Sequence, residues 1–178
     1  MKSKRFLLPL LVTLCLFAGC SDDGPATDPA DEPIAITESE LKEAFYYTFP
    51  LMIMDATESV ETNAETFVPG IPRAPVNQLI HAVKMADASS KSVVTPNVDT
   101  YYSRLWMDLD EPVVFEFPEV KDRFCNVQVL DAWTNTVAVL DRAGAYAITR
   151  STWKGDLPDN VTRIDVPTAM AWAITRTV

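Results

Sequence analysis

From Tyr101 to Leu109 the sequence has a period of two residues, in which every second residue belongs to the same face of the segment. This period limits what the chain can fold into. Leu105 and Met107 belong to one face of the segment, and Arg104 and Asp108 belong to the other. A period of two residues is typical of a β-strand and does not fit a helix. Short segments of the same kind follow at residues 113–117, 124–133, 136–140, 145–150, 161–165 and 169–174.

These segments are short and are separated by turn residues such as Pro118, Gly155 and Pro158. Several short strands with turn signals between them are typical of antiparallel two-sheet folds. The sequence therefore predicts a mainly β domain, an antiparallel sandwich or jelly-roll-like fold. Phe117, Val127 and Val129 are candidate core residues of this domain.

A helix is predicted in front of the strands. Thr37 and Glu40 have the spacing of a capping box, and apolar residues recur with helical period over residues 41–48. Pro50 has no backbone N–H and would bend or end the helix, although an apolar surface continues to about residue 60. We therefore expect the domain to span residues 37–178 and to begin with a helical leader.

The amino terminus has the pattern of an export signal. Basic residues precede an apolar run over residues 6–17, which ends in Ala18-Gly19-Cys20. The run is too short for a permanent membrane span, and small residues are what signal peptidases require. Cysteine at this place resembles the bacterial lipobox, so we expect residues 1–19 to be a lipoprotein signal peptide and Cys20 to be acylated. The alternative is ordinary cleavage, which would leave Cys20 as a free thiol.

Residues 20–36 have no large apolar side chain before residue 34 and are rich in proline and acidic residues. Such a composition predicts a disordered acidic tether. Ser21 after the cysteine suggests release to the outer membrane, and Asp22-Asp23 resembles the acidic surface-export signals of some Gram-negative lipoproteins. We therefore expect an outer membrane-anchored lipoprotein that faces the periplasm or the cell surface, with its acyl chains as the membrane contact.

Composition argues against several functional classes. Acidic residues outnumber basic ones by 25 to 15, and this balance disfavours nucleic acid as a partner. The mature chain would keep Cys125 as its sole cysteine beyond Cys20, so no internal disulfide is expected. His81 is the only histidine, and a zinc site of ordinary composition is therefore not expected.

Two short polar clusters are candidates for ligand binding. Asn97 and Asp99 flank a valine just before the first long strand, where both side chains could offer oxygen atoms to a cation or to sugar hydroxyls. The structural alternative is an Asx-type turn. Asp131 lies close to Trp133 and could form a carbohydrate site, whereas the structural alternative makes Trp133 core and pairs Asp131 with Arg104. The candidate ligand-binding residues are His81, Asn97, Asp99, Tyr101, Arg104, Asp131 and Trp133.

Six segments in a fixed order resemble the family known as domain of unknown function 1254. They are Tyr47 to Thr57, Ala74 to Ala82, Pro96 to Ser103, Leu130 to Asn135, the segment at Trp153-Lys-Gly, and Val161 to Asp165. The resemblance covers about Leu41 to Arg176. It implies a β-rich amino-terminal domain that normally precedes a second domain, of family 1214, in chains of more than twice this length.

That second domain is absent from the sequence, and an apolar strand candidate runs into Val178. We therefore expect a family 1254 domain truncated at its C-terminal end, with an unpaired last strand, which could associate with copies of itself or with a separate 1214-type domain. Two functions remain open: a binding or assembly module, or part of an envelope hydrolase acting on a polar or glycan-like substrate. The sequence names neither a cofactor nor a nucleophile–base pair.

Overall fold

The computed structural model describes residues 35–66, 73–91 and 94–178. The expected signal peptide, the lipidation site at Cys20 and nearly all of the expected tether lie outside these residues. Within them the chain forms one helix and eight strands: α1 (Glu38–Thr62), β1 (Leu79–His81), β2 (Tyr101–Asp108), β3 (Val113–Phe117), β4 (Cys125–Asp131), β5 (Thr136–Leu140), β6 (Gly144–Arg150), β7 (Val161–Val166) and β8 (Met170–Thr177). The predicted mainly β domain with a helical leader is confirmed.

The strands form two sheets. Sheet A has the strand order β1-β2-β8-β4-β5, and all of its pairs are antiparallel. Sheet B has the order β3-β6-β7, in which β3 and β6 are antiparallel and β6 and β7 are parallel. The parallel pair departs from the predicted antiparallel pattern, because residues 151–160 cross over instead of turning back as a hairpin.

The last strand lies in the middle of sheet A. β8 pairs with β2 on one side and with β4 on the other, through nearly its whole length. The expectation of an unpaired last strand is therefore wrong. In the sequence, residues 170–178 read as an apolar strand candidate with no evident neighbour, but long-range pairing makes this segment the centre of the sheet.

The main core fills the space between the two sheets. Leu105 and Val129 from sheet A and Ile148 and Val166 from sheet B are buried there. The three core residues predicted from the sequence, Phe117, Val127 and Val129, are all buried. Because side chains alternate along a strand, the residues between them point away from this core. The arrangement is that of a β-sandwich.

A second, smaller cluster covers the outer face of sheet A. Trp106 and Trp172 lie opposite each other on β2 and β8, and their rings stack with centroids 5.7 Å apart. Met54 of α1 packs against this cluster. Glu61 of α1 accepts hydrogen bonds from Arg104 Nε at 2.9 Å and from Trp106 Nε1 at 2.7 Å. The second half of α1 is thus held to the sheet by one carboxylate and a few apolar contacts.

The helix does not end at Pro50, which lies inside it. Thr37 immediately precedes the first helical residue and therefore occupies the N-cap position. No residue of α1 is fully buried, and most of its large apolar side chains are exposed.

Candidate ligand-binding cavity

An apolar cavity opens between the two sheets at the end of the sandwich where β2 begins and β8 ends. Its volume is about 310 Å³, which lies at the lower end of the range for small-molecule sites. The walls come from the inner face of sheet A, from β3 and from the connection that follows β3. The lining residues are Leu79, His81, Ser103, Leu105, Phe115, Glu116, Phe117, Pro118, Val120, Arg123, Cys125, Val127, Ala173, Thr175 and Thr177.

Strand register explains why the cavity has a polar mouth and an apolar interior. Ser103 on β2 lies opposite Thr175 on β8, and two positions deeper Leu105 lies opposite Ala173. Leu105 and Ala173 are buried, whereas Ser103 and Thr175 are half-buried. Side chains two positions apart share a face of the sheet. One face of sheet A therefore changes from hydroxyl-bearing to apolar as it enters the sandwich.

Two hydrogen-bonded pairs lie among the polar residues. His81 Nδ1 is 2.9 Å from Ser103 Oγ, and the two residues are direct partners in the β1–β2 register. Cys125 Sγ is 3.3 Å from Thr177 Oγ1, again between register partners. Both pairs follow from antiparallel pairing, which places opposite side chains on the same face of a sheet.

The mouth also holds one cation. Arg123 is exposed and lines the cavity, and within the described part of the chain it forms no ion pair or hydrogen bond with another residue. Glu116 also borders the cavity, but it lies between Phe115 and Phe117, whose side chains belong to the main core. Alternation along β3 therefore turns the Glu116 side chain to the outer face of sheet B. The charge at the mouth is consequently positive in an otherwise acidic protein.

Of the seven candidates named from the sequence, His81 alone lines this cavity. Asn97 Oδ1 accepts a hydrogen bond from the backbone N–H of Asp99 at 2.7 Å, as the Asx-turn alternative requires. Both side chains are exposed in the connection before β2. Tyr101, the first residue of β2, is also exposed.

Asp131 is the last residue of β4 and begins the turn to β5. It is only 3% exposed, and its carboxylate accepts hydrogen bonds from the backbone N–H groups of Trp133 and Asn135 and from the Asn135 side chain. The predicted pairing of Asp131 with Arg104 is wrong, because Arg104 bonds Glu61 instead. The Trp133 ring contacts Tyr47 of α1, with centroids 4.9 Å apart.

The candidates do not meet in one site. Tyr101 pairs with Thr177 and Asp131 pairs with Ala171, so these two residues lie at opposite ends of β8. Six residues of extended strand separate them along the sheet, roughly 20 Å at 3.3 Å per residue. The hypothetical carbohydrate site around Asp131 and Trp133 therefore cannot include Tyr101.

The sequence reading missed five residues of the mouth: Ser103, Arg123, Cys125, Thr175 and Thr177. The alternation did place Ser103 on the face of Leu105, and Cys125 on the face of Val127. What the alternation could not supply was the neighbour order β1-β2-β8-β4, which brings these faces together.

Two further findings concern the described residues as a whole. Among them, no group of three or more histidine, cysteine or acidic side chains is arranged to hold a metal ion. Their single helix lacks the apolar length required to cross a membrane.

Comparison with known proteins identifies the family. Residues 76–178, more than half of the chain, match the family described as "Protein of unknown function (DUF1254)". The chain belongs to the DUF1254 family. All eight strands and the cavity lie within the matched residues, whereas α1 precedes them.

The DUF1254 chain is also similar in structure to the VPA0106 protein from Vibrio parahaemolyticus. The two share 20% sequence identity with a TM-score of 0.54. The match covers 74% of this chain and 31% of VPA0106, so the DUF1254 chain spans about a third of that protein's length. No curated protein matches the chain.

Proposed function

We propose that this DUF1254 chain is an exported, lipid-anchored binding module that holds a small, mainly apolar molecule in the cavity of its β-sandwich. The observation that supports it is the cavity itself. Leu105, Phe117 and Val127 provide an apolar interior, and a few polar groups gather at the mouth. This combination of an apolar interior with a small number of placed polar groups is typical of ligand-binding sites.

The envelope hydrolase alternative has less support. A glycan-like substrate needs paired carboxylates in a polar cleft, whereas the cavity is apolar and turns the Glu116 side chain away. Asp131 is engaged by three hydrogen bonds in its turn. Asn97 is engaged by the backbone of Asp99. These residues stabilise the backbone around them, as turn residues do.

Binding can be tested with N-phenyl-1-naphthylamine, a neutral apolar fluorophore. The protein is the mature chain, residues 20–178, carrying Cys20→Ser, which lacks the apolar signal run and the proposed acylation site and needs no detergent. We expect saturable fluorescence enhancement, which Thr175→Phe should abolish by filling the mouth. Thr162→Phe, at an exposed position of β7, is the matched control and should bind as before. Equal binding by both variants would contradict the proposal, provided that both melt cooperatively.

The anchor is tested separately. The apolar run before Ala18-Gly19-Cys20 supports acylation of Cys20. Mass spectrometry of the mature protein should find residue 20 as the amino terminus, with a mass increase from acyl chains. An unmodified Cys20 would contradict anchoring, and protease treatment of intact cells would distinguish periplasmic from surface exposure.

A further inference from the structure

We propose that the ligand of the cavity is an aliphatic carboxylic acid, whose chain fills the apolar interior and whose carboxylate is bound at the mouth by Arg123. The proposal rests on the cavity being a ligand site, as proposed above. It adds the charge and the shape of the ligand, which an apolar cavity alone does not define.

The first argument is the unpaired guanidinium. Arg104, Arg150 and Arg163 each have a carboxylate partner, Glu61, Asp110 and Asp165 respectively. Arg123 has no such partner within the described residues, although acidic residues are in excess in this protein. A guanidinium presents its donors in a planar fork that matches a carboxylate, often through two parallel hydrogen bonds.

The second argument is the chemistry of the other groups at the mouth. The hydroxyl of Thr175 can donate one hydrogen bond, and the Cys125–Thr177 pair keeps one donor beyond the bond that joins it. Among the lining residues that the structure describes, Glu116 is the one acid, and its side chain lies on the outer face of β3 and not in the mouth. A site that offers hydroxyl and guanidinium donors favours a ligand whose polar end accepts hydrogen bonds and is negatively charged.

The third argument is the shape of the interior. Behind the hydroxyl groups the walls are Leu105, Val127, Ala173 and the rings of Phe115 and Phe117. No charged or hydroxyl side chain lies among these residues, so the inner end of the ligand should be hydrocarbon. The affinity should then rise roughly fourfold for each added methylene until the cavity is filled.

The test displaces N-phenyl-1-naphthylamine from the Cys20→Ser chain with decanoate, decan-1-ol and decylamine. We expect decanoate to displace the fluorophore at concentrations at least tenfold lower than the alcohol or the amine. Arg123→Gln should weaken decanoate binding by about tenfold or more, as for hydrogen bonds to charged groups, and leave decan-1-ol unchanged. Arg142→Gln is the matched control, because the Arg142 side chain is 89% exposed and outside the cavity.

The outcomes distinguish the proposal of an acidic ligand from the proposal that the cavity is a ligand site. If the fluorophore binds but decanoate displaces it no better than decan-1-ol, the acidic ligand is wrong and the apolar site stands. The same conclusion follows if Arg123→Gln weakens both ligands equally. Tighter binding of decyl sulfate than of decanoate would overturn the carboxylate in favour of another anion. If neither the fluorophore nor decanoate binds, both proposals fail.

Discussion

Asp131 stabilises the turn between β4 and β5 by accepting three hydrogen bonds in a nearly inaccessible position. Asp131→Ala should lower the free energy of unfolding by about 1–3 kcal/mol, because the buried donors lose their acceptor. Denaturation by urea measures this loss. Asp131→Asn keeps one acceptor oxygen and should retain part of the stability. If Asp131→Ala is as stable as the parent protein, the turn does not depend on this carboxylate.

Glu58 gives the folded protein a dependence on pH. Partial burial, followed by the nearby charges of Asp55 and Asp108, raises the pKa of this carboxyl above its ordinary value of 4.5. The folded state therefore holds the proton more tightly than the unfolded state, and stability falls as the pH rises from 4.5 through the raised pKa.

Glu58→Gln should therefore raise Tm at pH 7, and the gain should disappear below about pH 4, where the parent carboxyl is protonated in both states. Melting curves at the two pH values measure the difference. Glu43→Gln, at an exposed position of α1, controls for the loss of one negative charge. An equal gain at both pH values would show that the effect has another origin.

At the scale of single residues, sequence reasoning described local roles better than distant partners. The Asx turn at Asn97 depends on atoms two residues apart and could be recognised. The Glu61 bonds to Arg104 and Trp106 join residues more than forty positions apart, and no local pattern contains that information. For the same reason the mouth of the cavity could not be predicted, because four strands contribute one or two side chains each to it.

Among the strands, β3 offers a direct comparison of buried and exposed positions. Phe117→Ala should cost about 3–5 kcal/mol, because it removes a buried ring from the core between the sheets. Val114→Ala, on the exposed face of the same strand, should change stability by less than about 0.5 kcal/mol. Urea denaturation of the two variants tests this assignment of faces, and equal losses would contradict it.

Most element boundaries follow from the sequence because period and turn residues are local. The segments predicted at 113–117 and 136–140 match β3 and β5 at both ends. Strand direction is not local: the residues between β6 and β7 contain turn signals, yet the strands run parallel. The long-range pairing of β8 with β2 and β4 is not local either, and the prediction of an unpaired last strand was wrong for this reason.

At the scale of the whole fold, no other element among the described residues packs against the outward surface of α1. Within the described residues, several large apolar side chains of this helix are exposed, among them Phe45, Tyr46, Phe49 and Met52. Exposed apolar surface of this kind favours association with another polypeptide. We expect the Cys20→Ser chain to self-associate at high micromolar concentration, as measured by light scattering after gel filtration.

A charged variant tests which surface is responsible. Phe45→Glu combined with Phe49→Glu should shift the protein toward monomer, because burying the two carboxylates in an interface is costly. Val139→Glu, at an exposed apolar position of β5, should leave the association unchanged. A parent chain that is monomeric at high micromolar concentration would show that α1 needs no partner under these conditions.

The central position of β8 also has a consequence for the order in which the chain can fold. In sheet A, the β1-β2 pair and the β4-β5 pair are joined only through β8, and β8 follows every other strand of the sheet in the sequence. A growing polypeptide emerges from the ribosome amino terminus first, so these two strand pairs cannot be joined into one sheet while residues 170–177 are still unmade.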